Sequence, residues 1–504
     1  MVGKSERIRL RRAIPLAVAA ILTLVLSGCT SPKTWVENGF KVGPNYCEPA
    51  AATAPHWIDA DNPHVISLEG DNAQWWTVFR DPALDYLVAS AAAENLTLQT
   101  AGFRILEARA ERGVAAGNLF PQQQGASGSF TRNALGNPYP FDLFNFGHYY
   151  DNTQVGFNAA WELDFWGRFR RAIEAADANL DAQCAGFNNV LVLLQAEVAT
   201  NYIQMRAYEQ RLQLAQKNIG LQKETLRIIG LREHAGLVTE LDVQQATYNL
   251  GQTEALLPLL DAGRRRAQNR LCILLAHPPQ TLEQLADRAG LIPLPPQEVV
   301  VGIPAELLRR RPDVQQAERM AAAQSARIGI AEAEFYPHIA ITGTIGVQAQ
   351  DFANLFTPQS LVGAIGPAFN WNLLNYGRIQ NNVRVQDARF QQAVLGYRDT
   401  VLRANEEVEN GIVSFLHEQD RIAALTVSSN AAERSVAIAT QQYQKGTIDY
   451  QPLLDSQRVL VQQQDTLAES RGLVGIDLVA IYKALGGGWQ AQPPIPAGTP
   501  GPRS

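Results

Sequence analysis

The tryptophan motif "WELDFWGR" at residues 161–168 returns as "WNLLNYGR" at residues 371–378, an offset of 210 positions. Both copies keep the tryptophan, the leucine two positions later, an aromatic residue and the Gly-Arg pair. The same offset places Gly236 on Gly446, and it still holds near the ends of the two halves. Several landmarks in one register indicate that the chain is an internal duplication of one structural unit.

A long tract without proline follows each tryptophan motif, over residues 167–236 and 377–446. Ala, Gln, Leu, Glu and Arg dominate both tracts, which predicts nearly continuous helix. A helix of about 68 residues would extend roughly 100 Å, so it must pack along its length against other helices. A second helical tract follows each glycine, over residues 241–275 and 453–485. Each half is therefore predicted to contain a long helical hairpin.

A shorter helical tract, residues 87–121 in the first copy and 307–337 in the second, precedes each motif and ends in an aromatic residue followed by proline. Beyond each proline the apolar period changes from 3.6 to 2, which predicts strands. In the second copy Ile341 and Ile345 share one face, whereas Thr344 belongs to the other. Each half is therefore predicted to insert one β-hairpin. The two hairpins are placed at about residues 126–163 and 338–373.

The apolar sides of these strands are predicted to face a hydrophobic environment. Strands of about 10 to 13 residues suit a tilted crossing of an outer membrane. A soluble sandwich is the alternative, but two hairpins between long helices offer no second sheet on which to pack. The aromatic loop at residues 137–150 fits an interfacial girdle, with a hydrophobic minicore under a loop as the alternative.

Four strands from one chain cannot close a barrel, and an open sheet edge is not tolerated in lipid. Several chains must therefore share one barrel. Three copies would give twelve strands and an aqueous lumen, whereas two would give eight strands around an interior filled by side chains. A homotrimer with cyclic symmetry is favoured if the function is a pore.

The N-terminus is typical of an export signal. Residues 1–28 combine a basic start with an apolar run of about 14 residues, which is shorter than a spanning helix requires. The run ends at "LSGC", which resembles a bacterial lipobox in which Cys29 is lipidated and becomes the new N-terminus. A leader cleaved at another small-residue site is the alternative. Thr30 after the cysteine, rather than aspartate, predicts sorting to the outer membrane.

Composition excludes several functions. Removal of residues 1–28, with five basic residues and one acid, takes the net charge from −6 to −10, and an acidic surface argues against nucleic-acid binding. Cys47, Cys184 and Cys272 are scattered, so we expect no disulfide framework. The histidines show no paired-ligand spacing and no catalytic constellation is evident, so we expect no enzyme, no metal and no cofactor beyond the covalent lipid. The basic stretch at 309–313 is interpreted as a helix start with surface charge.

Short motifs along the chain carry a family resemblance. They are the lipobox, "KVGPNY" (41–46), "FRDPALDYLV" (79–88), "IPAELLRRRPDVQQAE" (303–318), "AEFYP" (333–337) and "ALGGGW" (484–489). Together they resemble the TolC-like outer-membrane factors, specifically the NodT-type lipoproteins of multidrug efflux systems. The resemblance implies an α+β membrane protein: a trimer with a shared 12-stranded barrel, four strands per chain, continued by a long α-helical tunnel. The two helical turns would close the tunnel until it docks an adaptor and a pump.

The turns at Gly236 and Gly446 form the candidate site. Gln451 and Asp455 are four residues apart and share a helix face. In a trimer an aspartate that faces the axis occurs three times, and such a ring of carboxylates can filter cations. The resemblance implies that Asp455 lines the periplasmic gate, and Gln451 and Asp242 are the further gate candidates. A solvated helix residue is the alternative for Asp455.

Both turns carry helix-start signals. Asp449 is predicted to N-cap the returning helix, and Pro452 falls within its first turn, where a missing N–H costs nothing. In the first turn Thr239 and Asp242 have the spacing of a capping box. The same residues therefore have a structural explanation beside the functional one.

The predicted function is a passive outer-membrane channel of a tripartite efflux system that exports small molecules such as drugs. A structural outer-membrane lipoprotein with a coiled-coil stalk is the alternative, but it would not explain the duplicated strands. The expected partners are outer-membrane lipids, two further copies of the chain, a periplasmic adaptor and an inner-membrane RND-type pump. The predicted segments are a signal peptide (1–28), a lipid-anchored N-terminal linker (29–80), a first efflux repeat (81–290), a second efflux repeat (300–489) and a disordered C-terminal tail (490–504).

Overall fold

The computed structural model describes residues 31–67, 72–134, 149–282, 290–302, 304 and 309–489. The predicted signal peptide, the predicted lipidation site Cys29 and the predicted C-terminal tail lie outside these residues, as does most of the aromatic loop at 137–150. The segment that follows the predicted anchor is described from Ser31 onward.

Two long helical hairpins, one in each copy, dominate the described residues. The helices are α1 (Pro32–Glu37), α2 (Pro82–Glu94), α3 (Leu96–Gly117), α4 (Arg168–His234), α5 (Glu240–Leu274), α6 (Pro312–Ala333), α7 (Arg378–Lys445) and α8 (Tyr450–Ala484). The pair α4 and α5 and the pair α7 and α8 begin in the predicted register of 210 residues. Among the described helices, none has both the length and the apolar character needed to cross a membrane.

The shorter helical tract of the first copy forms two helices, so the single helix expected over 87–121 is wrong. Asn95 separates α2 from α3. Its side-chain oxygen accepts the Leu98 N–H at 3.0 Å, and its amide donates to the Leu274 carbonyl at 2.9 Å. Asparagine caps helix starts well because its side chain satisfies a backbone donor there. The helix restarts for this reason, although the apolar pattern continues across the break.

The strands of the two predicted hairpins combine into one antiparallel sheet. The strands are β1 (Val65–Ile66), β2 (Gln123–Ala134), β3 (Tyr149–Glu162), β4 (Val299–Val300), β5 (His338–Ala349) and β6 (Leu361–Asn370). The sheet has the order β2-β3-β5-β6, and β1 with β4 forms a separate parallel pair. The hairpins meet where β3 pairs with β5, with Phe157 opposite Ile345 and Asn158 opposite Thr344. The sequence predicted each hairpin but not this pairing between them.

The register separates apolar from polar side chains on the two faces of this sheet, because a strand alternates with period two. The apolar face contains the pairs Val155–Val347, Phe157–Ile345, Trp161–Ile341 and Ile339–Phe369. The opposite face contains the pairs Gln154–Gln348, Asn158–Thr344 and Ala160–Thr342. Large apolar side chains such as Phe157 and Ile365 are exposed within the single chain. The alternation seen in the sequence therefore extends across both copies as one continuous apolar face.

The two tryptophans of the repeated motif make equivalent hydrogen bonds. Trp161 Nε1 donates to the Leu119 carbonyl at 3.1 Å, and Trp371 Nε1 donates to the Phe335 carbonyl at 2.9 Å. Each bond ties the end of a strand to the chain just beyond the helix that precedes the hairpin. An indole N–H is a donor that such a backbone carbonyl can satisfy. This shared anchoring explains why both copies retain the tryptophan.

The segment after the predicted lipid anchor is held by Arg171, near the start of α4. The guanidinium donates to the carbonyls of Val42 and Gly43 at 3.0 and 2.9 Å, and to Asn45 Oδ1 at 3.0 Å. Gly43 has a φ of +82°, and a Cβ built there would lie 2.4 Å from the Gly329 Cα. Glycine alone fits this crossing without displacing backbone. The "KVGPNY" motif is thus a packed docking segment.

Backbone contacts divide the chain into two compact units, and each unit draws on both sequence copies. The first comprises Met1–Pro49, Leu106–Ala182 and Glu318–Gly396, and it contains the four-stranded sheet. The second comprises Ala50–Ile105, Gln183–Ala317 and Tyr397–Ser504, and it contains both turns. The main core of the second unit includes Trp75, Leu84, Tyr202, Phe415 and Leu478. The helices α4 and α7 each begin in the first unit and end in the second, so the units do not coincide with the two repeats.

The basic stretch at 309–313 is not simply surface charge, because Arg311 is buried. Its guanidinium donates to Asp313 through two bonds of 3.0 and 2.7 Å and to Glu407 at 2.9 Å. A third partner is the Ala484 carbonyl, at 2.6 Å. A buried guanidinium requires such partners to offset its desolvation. The surface interpretation is therefore wrong for Arg311, which links the start of α6 to the middle of α7 and to the end of α8.

Candidate functional site

The two turns between the long helices have the same backbone structure. Gly236 has a φ of +68° and Gly446 a φ of +74°, both in the left-handed region. The N–H of the residue after each glycine donates to the carbonyl five positions back, at 2.9 Å in the first turn and 3.0 Å in the second. This bond pattern is the Schellman motif, which satisfies the last carbonyls of a helix. Both helical hairpins therefore end in one turn type that glycine adopts without strain.

The starts of the returning helices differ between the copies. In the first copy one oxygen of Asp242 accepts the Thr239 N–H at 3.0 Å and the Thr239 hydroxyl at 2.9 Å. In the second copy Asp449 occupies the N-cap position, but its side chain makes no capping hydrogen bond. The prediction that Asp449 is the N-cap residue of α8 is confirmed, but the predicted hydrogen bond from its side chain to the helix is absent. Pro452 is the third residue of α8, where no intrahelical acceptor awaits an N–H.

Gln451 and Asp455 lie side by side on one face of α8. The Gln451 amide donates to both carboxylate oxygens of Asp455, each at 3.2 Å. Both side chains are exposed within the single chain. Their i, i+4 spacing permits this contact on the first turns of the helix. The pair therefore presents a carboxylate and an amide on a surface that the chain's own helices leave uncovered.

An apolar group, called here the turn cluster, packs behind the two turns. Its buried members are Ile229, Ala246, Ala439, Tyr443, Tyr450, Leu453 and Leu454. They come from all four long helices, so the cluster joins the ends of the two hairpins. The rings of Tyr443 and Tyr450 are 5.9 Å apart between centroids. The packing of the two turns against each other rests on this small core.

Charged groups surround the two tyrosines of the turn cluster. The Arg232 guanidinium lies 4.5 Å from the Tyr443 ring centroid and donates to the Gln444 carbonyl at 2.9 Å. Burial raises the pKa of Tyr443, Arg232 opposes this rise, and the charge of Asp242 adds to it. Burial, together with smaller contributions from its neighbours, raises the pKa of Tyr450 to about 12. Arg232 and Asp242 thus connect the first copy to the tyrosines of the second.

The structure separates the three predicted gate residues into two environments. Asp242 is half-buried, where it bonds Thr239 and acts on the pKa values of the tyrosines. Asp455 stays exposed beside Gln451. Asp455 as the residue that lines the aperture remains a prediction. Sequence reasoning missed the tyrosines and Arg232, although a tyrosine three positions before Gly446 and another four after it were a visible signal.

Within the described residues, no group of three or more His, Cys, Asp or Glu side chains is placed to hold a metal ion. The cysteines described there form no disulfide: Cys47 and Cys184 are exposed, and Cys272 is buried. The Cys272 thiol donates to the Gln280 carbonyl at 3.4 Å.

The chain has one long helical hairpin in each of its two copies and a single antiparallel sheet with one apolar face. This combination is typical of outer-membrane efflux channels. The chain belongs to the outer membrane efflux protein family, whose model matches residues 87–277 and 303–487, one match in each copy. It is an outer-membrane channel protein that extends into the periplasm.

Individual relatives agree with this family. The chain is 30% identical to nodulation protein T of Rhizobium leguminosarum bv. trifolii, over 89% of this chain and 92% of that protein. It is 27% identical to the cation efflux system protein CusC of Escherichia coli strain K12, over 95% of this chain and 99% of that protein. Among solved structures, the outer-membrane channel OprN superposes with a TM-score of 0.81 at 31% identity, over 89% of this chain and all of that one. These relatives support the predicted channel over the predicted tether.

Proposed function

We propose that three copies of this chain form one passive efflux channel, with a shared barrel of twelve strands in the outer membrane and a helical tunnel in the periplasm. The observation that carries the proposal is the sheet itself, which has one apolar face and ends in two open strands, β2 and β6. In lipid the backbone groups of such edge strands need partners. Pairing β6 of one copy with β2 of the next closes a barrel with the apolar face outward.

The polar face of the sheet fits the lumen of such a barrel. Most of its residues on β3 and β5 are small or uncharged, such as Gln154, Asn158, Thr342 and Thr344, and the acid Glu162 lies at the end of β3. A lumen of this composition lets water and solutes pass with little selection. We therefore infer that the choice of exported compound, such as a drug, rests with an inner-membrane RND-type pump that delivers it through a periplasmic adaptor. A covalent lipid on Cys29 would anchor the N-terminus in the membrane, and we propose that the channel works without a cofactor.

The turns would form the closed periplasmic end of the tunnel. Around a threefold axis, Asp455 occurs three times, and like charges at close range repel unless they are solvated, paired or bridged by a cation. Gln451 donates to Asp455 from its own helix and leaves the negative charge in place. A ring of this kind admits cations and keeps the aperture sensitive to contacts made by a docking adaptor.

The test is single-channel conductance in a planar bilayer, comparing the wild-type trimer with Asp455→Ala. We expect larger or longer-lived openings and weaker cation preference in the variant, because the carboxylate ring is lost. Asp449→Ala is the matched control, since Asp449 is exposed in the same turn and makes no capping bond. Equal behaviour of the two variants would refute the gate assignment for Asp455 but not the channel. No conductance from the wild-type trimer would refute the channel.

A further inference from the structure

A cleft lined by arginines lies between α6 and the start of α7, directly beyond the sheet. Its volume is about 620 Å³. We call it the arginine cleft, and its polar lining includes Arg327, Glu334, Asn372, Arg378, Asn382 and Arg389. Clefts of this volume commonly hold small organic ligands. Three guanidinium groups around one cleft require an explanation in a chain with a net charge of −6.

None of the three arginines is paired with a carboxylate within the part of the chain that the structure describes. Arg327 donates to Gln324 Oε1 at 3.2 Å, and Arg378 Nε donates to the Asn375 carbonyl at 3.4 Å. The Arg389 side chain has neither a hydrogen bond nor an ion pair with any described residue. The positive charge of these arginines is therefore left to solvent or to a ligand.

The acid that lines the cleft is already paired with other groups. Glu334 Oε1 lies 3.1 Å from a guanidinium nitrogen of Arg168, and Glu334 Oε2 lies 3.4 Å from Nε2 of His338. Neither Arg168 nor His338 lines the cleft. The charge of Glu334 is therefore shared with groups outside the cleft, and the three arginines leave the cleft with an excess of positive charge.

The equivalent positions of the first copy contain an acid instead of two arginines. Arg327 corresponds to Glu111, since each lies ten positions before the proline that ends its shorter helical tract. The offset of 210 places Arg389 on Asn179. In the first copy the Asn179 amide nitrogen lies 3.5 Å from Glu111 Oε2. The second copy has arginine at both positions, and an anion could contact both of them.

Arg378 also lacks an acid that its counterpart has. It corresponds to Arg168 in the repeated motif, and Asn372 corresponds to Glu162. Arg168 donates to Glu162 Oε2 at 3.2 Å, whereas Arg378 donates to a backbone carbonyl. At the four positions compared, the second copy therefore has two carboxylates fewer and two guanidinium groups more than the first.

The register of the sheet places the cleft on the side of the polar face. His338 begins β5 and shares the polar face with Thr342 and Thr344, because alternate residues of a strand point the same way. Its Nε2 contacts Glu334, which lines the cleft. In the proposed barrel the polar face encloses the lumen. The arginine cleft would therefore lie where the barrel lumen meets the helical tunnel.

Three guanidinium groups favour a ligand with several anionic groups. Each guanidinium presents N–H donors in a planar fork that matches the oxygens of a phosphate, sulfate or carboxylate group. The first turn of α7, which begins at Arg378, contains no acidic residue, so the helix N-terminus adds positive potential. Asn372 and Asn382 supply further amide donors. A singly charged anion would engage only part of this set.

We propose that the arginine cleft binds small solutes that carry two or more phosphate, sulfate or carboxylate groups as they pass through the channel. The role in export rests on the proposed function, whereas the binding site itself lies within a single chain. A lipid headgroup offers the same phosphate chemistry, but lipid acyl chains would contact the apolar face of the sheet rather than the polar face. The proposed ligand is therefore a dissolved anion.

The first experiment measures the binding of inorganic pyrophosphate to the purified trimer by isothermal titration calorimetry at low ionic strength. We expect one saturable site per chain, and at least about tenfold weaker binding in Arg389→Gln, because a charged hydrogen-bond donor is lost. Arg384→Gln removes the same charge from an exposed position on α7 outside the cleft, so its affinity should stay within about twofold of the wild type. No saturable binding, or equal weakening in the two variants, would refute the site.

A second variant restores the residues of the first copy. Arg327→Glu together with Arg389→Asn should abolish pyrophosphate binding and leave the trimer intact, since both arginines are exposed. Size-exclusion chromatography in detergent checks the assembly. Retained binding would contradict the proposal. Dissociation of the trimer would contradict it too, because it would show that the arginines hold neighbouring copies together.

Single-channel current tests whether the site lies in the conducting path. Pyrophosphate is added on the barrel side, from which it can reach the cleft without passing Asp455. We expect the current through the wild-type trimer to fall with pyrophosphate concentration and to depend on voltage, and we expect little decrease in Arg389→Gln. Binding in the calorimeter without any effect on the current would rule out a site in the lumen.

The remaining outcomes identify the source of the anion and separate this inference from the proposal on which it rests. A phospholipid that mass spectrometry finds in the purified wild-type trimer but not in Arg389→Gln would identify a headgroup as the ligand and refute the dissolved anion. A wild-type trimer that binds pyrophosphate but never conducts would refute the channel, and with it the role in export, but not the binding site. A trimer that conducts without binding pyrophosphate would leave the channel intact and refute the arginine cleft alone.

Discussion

The two turns of the duplicated chain share a backbone but use their acidic residues differently. At the third position of the returning helix the first copy has Asp242, which bonds back to Thr239, whereas the second copy has Pro452 in the same register. Where the second copy presents the exposed pair Gln451 and Asp455, the first has Leu241 and Gln245. The first copy uses its acid to start a helix, and the second leaves its acid on a free surface.

This difference teaches which features a duplication retains. The turn requires a residue with a positive φ at positions 236 and 446, and glycine adopts this conformation without strain. Nothing in the backbone demands a particular side chain one turn further on, so those positions were free to diverge. Function in this molecule is therefore expected where the copies differ, and structural support where they agree.

Both copies contribute apolar residues to one face of the sheet, and this shared feature can be tested by mutation. The loss of membrane insertion expected there is the largest effect predicted for this protein. Ile341→Lys together with Ile345→Lys should block membrane insertion, because a lysine on the lipid face costs about 2–4 kcal/mol near the bilayer midplane. Phe157→Lys, opposite Ile345 in the first copy, should impair insertion in the same direction. The measurement is the fraction of protein that resists carbonate and urea extraction from outer membranes.

The polar face supplies the matched control for this prediction. Thr342→Lys with Thr344→Lys adds the same charges on the same strand, one position away from each apolar substitution. These side chains point to the opposite face, so insertion should be close to that of the wild type. Normal insertion of the Ile341 and Ile345 variant would show that the lipid face is assigned incorrectly.

A second difference between the copies concerns Asp477, a half-buried acid on α8. Asp477 on α8 corresponds to the buried Ala267 on α5. Burial, with a further contribution from Glu418, raises the pKa of Asp477 from 3.8 to about 6. A pKa above the unfolded value means that this residue's contribution to stability is complete below about pH 4 and is lost as the pH rises through about 6. The folded protein should therefore be less stable at pH 7 than at pH 5 on account of this residue.

Asp477→Asn tests this prediction by removing the titration while keeping the shape. The variant should be more stable than the wild type by about 1–2 kcal/mol at pH 7, allowing for partial exposure to solvent, and by less at pH 5. Thermal unfolding midpoints at the two pH values measure the change. Asp477→Ala reproduces the residue of the first copy and should likewise lose the pH dependence. An undiminished pH dependence in both variants would mean that another group titrates.

The sequence predicted the repeated elements well because helices and strands leave periodic patterns in one stretch of chain. It could not predict that β3 would pair with β5, since that contact joins residues almost two hundred positions apart. The burial of Arg311 was missed for the same reason, because its partners Glu407 and Ala484 come from distant helices. Tyr443 and Tyr450 were visible on either side of Gly446, but their burial depends on the packing of four helices, which the local sequence does not specify.

The smallest change in stability is expected at the starts of α5 and α8, where the two turns differ in their capping hydrogen bonds. Asp242→Ala removes an acceptor that bonds Thr239 twice, so the start of α5 should be destabilised by about 1 kcal/mol. Asp449→Ala, at the N-cap of α8, removes no capping bond and should cost less than about 0.5 kcal/mol. Hydrogen exchange of the first-turn amides measures both, with about fivefold faster exchange expected only in the first copy. Equal acceleration in the two copies would show that the acids have the same role and that the copies differ only in sequence.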